Sequence, residues 1–325
     1  MAKRRYQKRK RKQKTSLKAF YSFLAIVACF FAAITVNTYA PFTKSLPTWE
    51  QIRAEVGSML EDASYPQGYV DGEVTVHYID VGQGNCTLIR TKEHAILIDA
   101  GENDQGETVV SYLKGQGIEK IDYAIATHPH SDHIGGLDVV IREIPTENII
   151  MPKLKKSLIP TTRTYEDLLT AIQENNVNVI TAKVGEQYEI DGGILTILGP
   201  AGDFNDLNNI SVGARFSYGD VAFLSTGDME EQAEEALLNT GERLSADVFS
   251  AGHHGSDTAN SEAFLKAVGA EYFVVQCGYQ NQYGHPHKEI LRRMEQLGGE
   301  ILRTDVSGTI VFSTDGTQLD LQTEK

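Results

Sequence analysis

Ten residues, Thr127 to Gly136 (THPHSDHIGG), restrict this chain more than any other stretch. They continue YAIAT (Tyr123–Thr127), whose apolar and β-favouring residues predict a strand. His128 and His130 therefore fall on a loop at that strand's C-terminal end, and Asp132 and His133 where a helix begins. Gly135 and Gly136 let the helix approach the sheet closely. Neutral imidazoles with a carboxylate form a donor set that zinc favours. A His-x-His pair can aim two nitrogens at one ion, leaving Asp132 and His133 for a second. The wider distribution agrees: of nine histidines, seven lie in three clusters, His128/His130/His133, His253/His254 and His285/His287. His77 and His94 stand alone and read as structural residues.

From Glu73 onward, strand-like and helical runs alternate. Strands are expected at Val74–Ile79, Cys86–Ile89, Ala95–Asp99 and Tyr123–Thr127, with helices around Thr108–Lys114 and from about His133. A helix at Tyr165–Asn175 precedes strands at Asn178–Ile180 and Ile194–Leu198. The second half repeats the theme: strands Val212–Tyr218 and Val221–Ser225, helix Glu230–Thr240, strand Asp247–Ala251, helix Ser261–Gly269, strand Tyr272–Gln276, helix Lys288–Gly298 and three short terminal strands. Two such halves predict two sheets face to face beneath outer helices.

The N-terminal region is of another kind. Residues 1–18 hold ten Lys or Arg and no acid, and Ala19 to Val36 is almost wholly apolar. Such a run is long enough to cross the hydrocarbon core, and the basic block before it should stay cytoplasmic. The expected organisation is a basic tail (1–18), a transmembrane anchor (19–43), a stalk punctuated by Pro47 and Pro66 (44–72) and an outward-facing domain (73–325). A cleaved secretory signal ending near Thr38-Tyr39-Ala40 competes, but the apolar run is long for one and Pro41 would follow the cut. Eleven of the 30 basic residues precede residue 45 and all 44 acids follow it, so residues 45–325 carry a net charge of −25. That argues against a general polyanion-binding surface. Cys29 falls in the span, and Cys86 and Cys277 in predicted strands, where buried free thiols are expected.

His-x-His-x-Asp-His after a strand resembles the signature of the metallo-β-lactamase superfamily. DVGQGNC (Asp80–Cys86), LIDAG (Leu97–Gly101), LSTGD (Leu224–Asp228), AGHHGS (Ala251–Ser256) and YGHPH (Tyr283–His287) are similar, in the same order, to motifs of the extracellular hydrolase domain of ComEC-like competence proteins. The resemblance covers Glu73 to the C-terminus and reaches the hydrolase, not the multi-span channel of those proteins. It implies an α/β fold, an αββα sandwich, with two divalent metal ions, zinc or manganese. The ligands it implies are His128, His130, Asp132, His133, Asp228 and His254, with Asp228 bridging. Asp99 would orient a ligating histidine. His253 would either replace His254 or line the substrate side, and His285 would contact the substrate or protonate the leaving group; with Asp132 these are the catalytic candidates. His287 reads more readily as loop packing. Residues 134–252 contain no histidine, where many superfamily members supply one. DLNNIS (Asp206–Ser211) occupies that region, so Asn209 or Asn208 would give oxygen instead, or water would fill the position; oxygen ligation favours manganese.

The expected activity is metal-dependent phosphodiester hydrolysis, with DNA as the substrate the resemblance implies. A cell-wall phosphodiester such as phosphorylcholine or a teichoic-acid linkage is the alternative, and a non-catalytic DNA-handling module a third. The glycines of DVGQGNC lack the Lys-Ser/Thr ending of a nucleotide loop, so a tight turn near the metal site is expected there. No Gly-x-Ser-x-Gly nucleophile elbow occurs.

Overall fold

The computed structural model describes residues 74–325. The expected tail, anchor and stalk, with Cys29, lie outside the described residues. Among the described residues no helix is long and apolar enough to cross a membrane.

The first half runs β1 (Val74–Tyr78), β2 (Thr87–Arg90), β3 (Ala95–Ile98), α1 (Gly106–Gly115), β4 (Ile121–Ile125), α2 (Ser131–Ile134), α3 (Leu137–Glu143), β5 (Thr146–Met151), α4 (Arg163–Glu174) and β6 (Asn178–Thr181). The second runs β7 (Gln187–Ile190), β8 (Gly193–Ile197), β9 (Ala214–Tyr218), β10 (Val221–Ser225), α5 (Glu231–Leu238), β11 (Val248–Ser250), α6 (Glu262–Val268), β12 (Tyr272–Val275), α7 (Lys288–Gln296), β13 (Glu300–Arg303), β14 (Ile310–Thr314) and β15 (Leu319–Thr323). They form two sheets, ordered β15-β14-β1-β2-β3-β4-β5-β6 and β13-β12-β11-β10-β9-β8-β7. β3 to β6 are mutually parallel, as are β10 to β13; the remaining neighbours are antiparallel.

Three apolar layers follow from the period-two alternation of the strands. Along β3, Ala95 and Leu97 face the helices while Ile96 and Ile98 face the other sheet; along β12, Phe273 and Val275 face helices and Val274 the opposite sheet. One layer packs Val109, Leu137 and Leu168 of α1, α3 and α4 onto the first sheet. A second sets Ile125 and Phe312 against Leu195, Phe216 and Phe223 between the sheets. The third packs Leu237, Phe264 and Ile290 of α5, α6 and α7 onto the second sheet. The result is the expected αββα sandwich.

Two strands escaped the sequence reading. β5 begins with polar residues and shows too short an apolar run, and β7 is a half-exposed edge strand of mixed character. The single helix expected from His133 is two, interrupted at Gly135–Gly136. There the chain passes so close to its neighbours that a Cβ on Gly136 would lie 2.4 Å from the Ala100 carbonyl oxygen. Cys86 and Cys277 are buried free thiols, and burial, assisted by Asp305, pushes Cys277 up to about 12.

Candidate metal centre

The site is assembled from loops that leave the C-terminal ends of parallel strands, where backbones diverge and side chains can converge. β3 leads into Asp99, β4 into Thr127 and His128, β10 into Asp228, β11 into His253 and His254, and β12 into the segment ending at His285.

Two donor groups result. Asp132, His133, Asp228 and His254 bring ligand atoms within 4.8 Å of one another, as do His128, His130 and Asp228, so Asp228 belongs to both. His128 Nε2 lies 2.9 Å from His130 Nδ1, and His254 Nε2 3.2 Å from Asp132 Oδ2. His133 Nε2 and Asp228 Oδ1 are 3.0 Å apart, yet both are buried without a hydrogen-bond partner. Two such atoms facing each other without a proton aligned between them fit lone pairs directed at a common cation.

The orienting shell fixes which nitrogens face inward. The backbone carbonyl of Gln276 can only accept, so His254 donates Nδ1–H to it at 2.9 Å and turns Nε2 to the site. His133 Nδ1 lies 2.8 Å from Asp99 Oδ2, with the same effect. Asp99 also accepts from the Thr127 amide at 2.9 Å and hydroxyl at 2.7 Å, which binds β3 to the loop that carries His128.

Electrostatics favour positive charge here. Burial works to raise Asp228, but the imidazoles of His133, His254 and His128 hold it well below the usual carboxylate range. Burial likewise opposes, and His133 and His254 outweigh it, in lowering Asp132. Burial lowers His128, whereas for His133 the carboxylates of Asp228, Asp99 and Asp132 overcome burial and raise it. Buried carboxylates of this density call for compensating cations. The donor set, the orphaned atoms and the charge all fit divalent metal.

The backbone is strained at the same place. Asp99, His253 and His254 have φ of 58°, 51° and 54°, left-handed conformations that side-chain-bearing residues rarely adopt. Asn260 braces the His253–His254 turn, accepting from Gly252 N–H at 2.9 Å and donating to Gly252 O at 2.8 Å. Glu234 in turn accepts from the Asn260 amide at 2.6 Å.

The donors open into a cleft of about 320 Å³, also lined by Gln83, Ser131, Asn208, His253, Tyr283 and His285. His253 stands on its wall, Nε2 3.5 Å from Asp228 and Nδ1 3.1 Å from Thr258 Oγ1, while His254 occupies the donor cluster. His285 is half-buried, near-parallel to His254 at 6.1 Å and to Tyr283 at 5.7 Å, with its Nδ1 buried and unpartnered. Burial, then the neighbouring His254, His253 and His287, pulls it down to about 4.

Several sequence expectations can be placed. His287 accepts from Asp257 N–H at 2.9 Å and ties two loops together, as packing residues do. His77, within hydrogen-bond distance of Tyr112 and Thr75, and His94, paired with Asp191, are structural. Asn209 does not face the cleft. Its Oδ1 accepts from the amides of Glu230 and Ala233 and its Nδ2 donates to Asp206, so it is spent on the start of α5. Asn208 takes the position instead, with a buried, unpartnered Oδ1. Sequence reasoning missed Gln83, Ser131, Gln276 and Asn260. Gln83 carried a usable signal, standing between two glycines of the loop expected near the metals.

The profile of the metallo-beta-lactamase superfamily matches residues 79–279. ComE operon protein 3 of Bacillus subtilis (strain 168) is 28% identical over 267 residues, 76% of this chain and 34% of its own length. Competence protein ComA of Neisseria gonorrhoeae is 32% identical over 250 residues, 76% of this chain and 33% of its own. The chain thus spans about a third of the length of these curated relatives. A mutant of CmlA beta-hydroxylase superposes with a TM-score of 0.50 at 13% identity, covering 86% of this chain and 61% of that one, a likeness of fold alone. Four-layer architecture, histidine-aspartate loops and profile agree: the chain belongs to the metallo-beta-lactamase superfamily.

Proposed function

We propose that this chain is a membrane-anchored, outward-facing, metal-dependent phosphodiesterase that cleaves DNA. The observation that carries the reading is the pair of donor groups that share Asp228. His128, His130 and Asp228 would hold one divalent ion; Asp132, His133, Asp228 and His254 would hold the other. Bound there, two cations supply Lewis acidity, activating water and neutralising charge on the attacking and leaving oxygens. Asp228 suits the shared position because its two carboxylate oxygens can face two ions. Asp99 and the Gln276 carbonyl orient His133 and His254, and His128, His133, Asp228 and His254 are buried from bulk water. His253 and His285 line the cleft beside the donors, where they would meet the substrate.

Phosphodiesters suit this cleft. Among the described residues that line it none is Lys or Arg, so a phosphate meets positive charge only at the metals. Their local field lets a chain whose residues 45–325 carry a net charge of −25 accept an anionic substrate. Imidazole-rich donors favour zinc, and an oxygen from Asn208 favours manganese. The names of the relatives, competence proteins among them, support DNA as the substrate and DNA uptake as the setting. The basic block followed by an uncharged apolar run supports a cytoplasmic N-terminus with the domain outside.

The test is metal analysis of the purified full-length chain with cleavage of plasmid and single-stranded DNA across zinc and manganese. About two metals per chain, with cleavage lost in Asp228→Ala, is the expected outcome. The same charge balance favours a second reading, a cell-wall phosphodiesterase. Metal-loaded protein that leaves DNA intact but releases phosphorylcholine or wall fragments would select it. Stoichiometric metal without turnover of any phosphodiester would sink both.

A further inference from the structure

We propose that Gln83 is a catalytic residue whose side-chain amide donates a hydrogen bond to a non-bridging oxygen of the phosphoryl group under attack. This rests on the phosphodiesterase reading and adds a protein donor to it.

Gln83 lies in the loop between β1 and β2 and lines the same cleft as Asp132, Asp228 and His254. Its two amide atoms are distinguished by their neighbours. One accepts from the Gly278 N–H at 3.1 Å, which only the oxygen can do, so that atom is Oε1 and the other is the donor Nε2. Nε2 is buried and without a hydrogen-bond partner. Buried amide donors are ordinarily satisfied, and an unsatisfied one beside a catalytic cleft is a donor reserved for what enters it.

The loop is held from both sides. Gly84 has φ of 143°, and a Cβ there would lie 2.4 Å from the Asp132 carbonyl oxygen, which the Asn85 amide approaches at 3.0 Å as donor. On the other side Gly278 packs so closely that a Cβ on it would lie 2.8 Å from the Gln83 backbone nitrogen. Gln83 is thus fixed between the segment that bears Asp132 and the segment that leads to Tyr283 and His285. A donor positioned before reaction need not reorganise as charge develops, the condition for strong oxyanion stabilisation. In the hydrolysis the water oxygen forms a new P–O bond while the ester P–O bond breaks. The water's proton ends on the leaving oxygen, and Gln83 keeps both of its own. No Lys or Arg lines the cleft among the described residues, so a neutral amide fills the role a basic side chain often serves.

Two variants of the full-length, metal-loaded chain separate this role from loop tethering. Gln83→Met removes donor and acceptor at similar length, whereas Gln83→Glu keeps an acceptor for Gly278 N–H and removes the donor. With bis(p-nitrophenyl) phosphate, kcat is expected to fall by about 10²–10³-fold in both. Metal content and Tm should stay at wild-type values, and calorimetry should show inorganic phosphate binding weakened by about tenfold. Wild-type kcat and phosphate affinity in Gln83→Glu would overturn the proposal in favour of a tether. So would a Gln83→Met loss matched by loss of metal. A wild-type chain that hydrolyses no phosphodiester would overturn the parent reading instead; phosphate affinity of the same three proteins would still decide whether Gln83 contacts the anion.

Discussion

Asp99 and His77 are both fully buried, and the fold uses them differently. Asp99 lies against His133 Nδ1 and accepts from the Thr127 amide and hydroxyl. Replacing it with Asn preserves shape but weakens the fixing of His133. Asp99→Asn should therefore lower metal affinity by about 10–100-fold, read by competition with a chelator, while the fold survives. His77 is kept neutral. Burial, then the charge of Arg90, lowers it to about 3, against 6.5 for the free side chain. Between those values the unfolded chain binds a proton that the native state does not. Stability from this residue is thus complete above about pH 6.5 and declines on acidification by about 1.4 kcal/mol per pH unit. Denaturant titrations of His77→Gln between pH 7 and 4 should show the pH slope reduced by about one proton. An unchanged slope would refute the assignment.

At the scale of elements, precision comes from loops braced by other elements. The Gly252–Gly255 turn places two successive histidines in left-handed backbone, and what pays for that strain is Asn260, itself tied to Glu234 on α5. Asn260→Ala would strand the Gly252 amide and carbonyl and put alanine at φ 61°. A loss of about 1–3 kcal/mol in denaturant unfolding is expected, together with reduced metal content because His254 sits on that turn. Stability loss with full metal occupancy would show that the brace and the site are independent. Elements were legible where the period was strong. β3, β4 and β10 to β12 are short apolar runs between turns, and Asp99, His128, Asp228 and His254 follow the ends of four of them. β7 was not legible, because an edge strand exposes one face and most of its backbone and needs no clear alternation.

For the whole molecule, the metals should act as a clasp between the two sheets. His128, His130, Asp132 and His133 follow a strand of one sheet, and Asp228 and His254 follow strands of the other. An ion that binds only the native state adds about 4 kcal/mol when present at about 1,000 times its dissociation constant. Removal with a chelator should therefore lower Tm by on the order of 10 °C in a domain of this size, reversibly on adding back zinc or manganese. A Tm insensitive to chelation would mean that the αββα layers alone set the stability.

The sequence by itself determined the layers, the strand-end loops and the histidine clusters, because apolar periodicity and clustered histidines are local patterns; Asp228 and His254 entered as ligands through the family resemblance. Partnership is not local, and only the tertiary structure decided it. Asn208 and Asn209 are adjacent and chemically identical, yet one faces the cleft and the other caps α5, a choice made by where α5 packs. Gln83 acquires its unmatched donor only because Gly278, almost two hundred positions away, claims its oxygen. Asp228 becomes common to two donor groups only once the ends of β4, β10 and β11 meet. Contacts between residues far apart in the chain depend on how complete layers stack, and no short window of sequence encodes that.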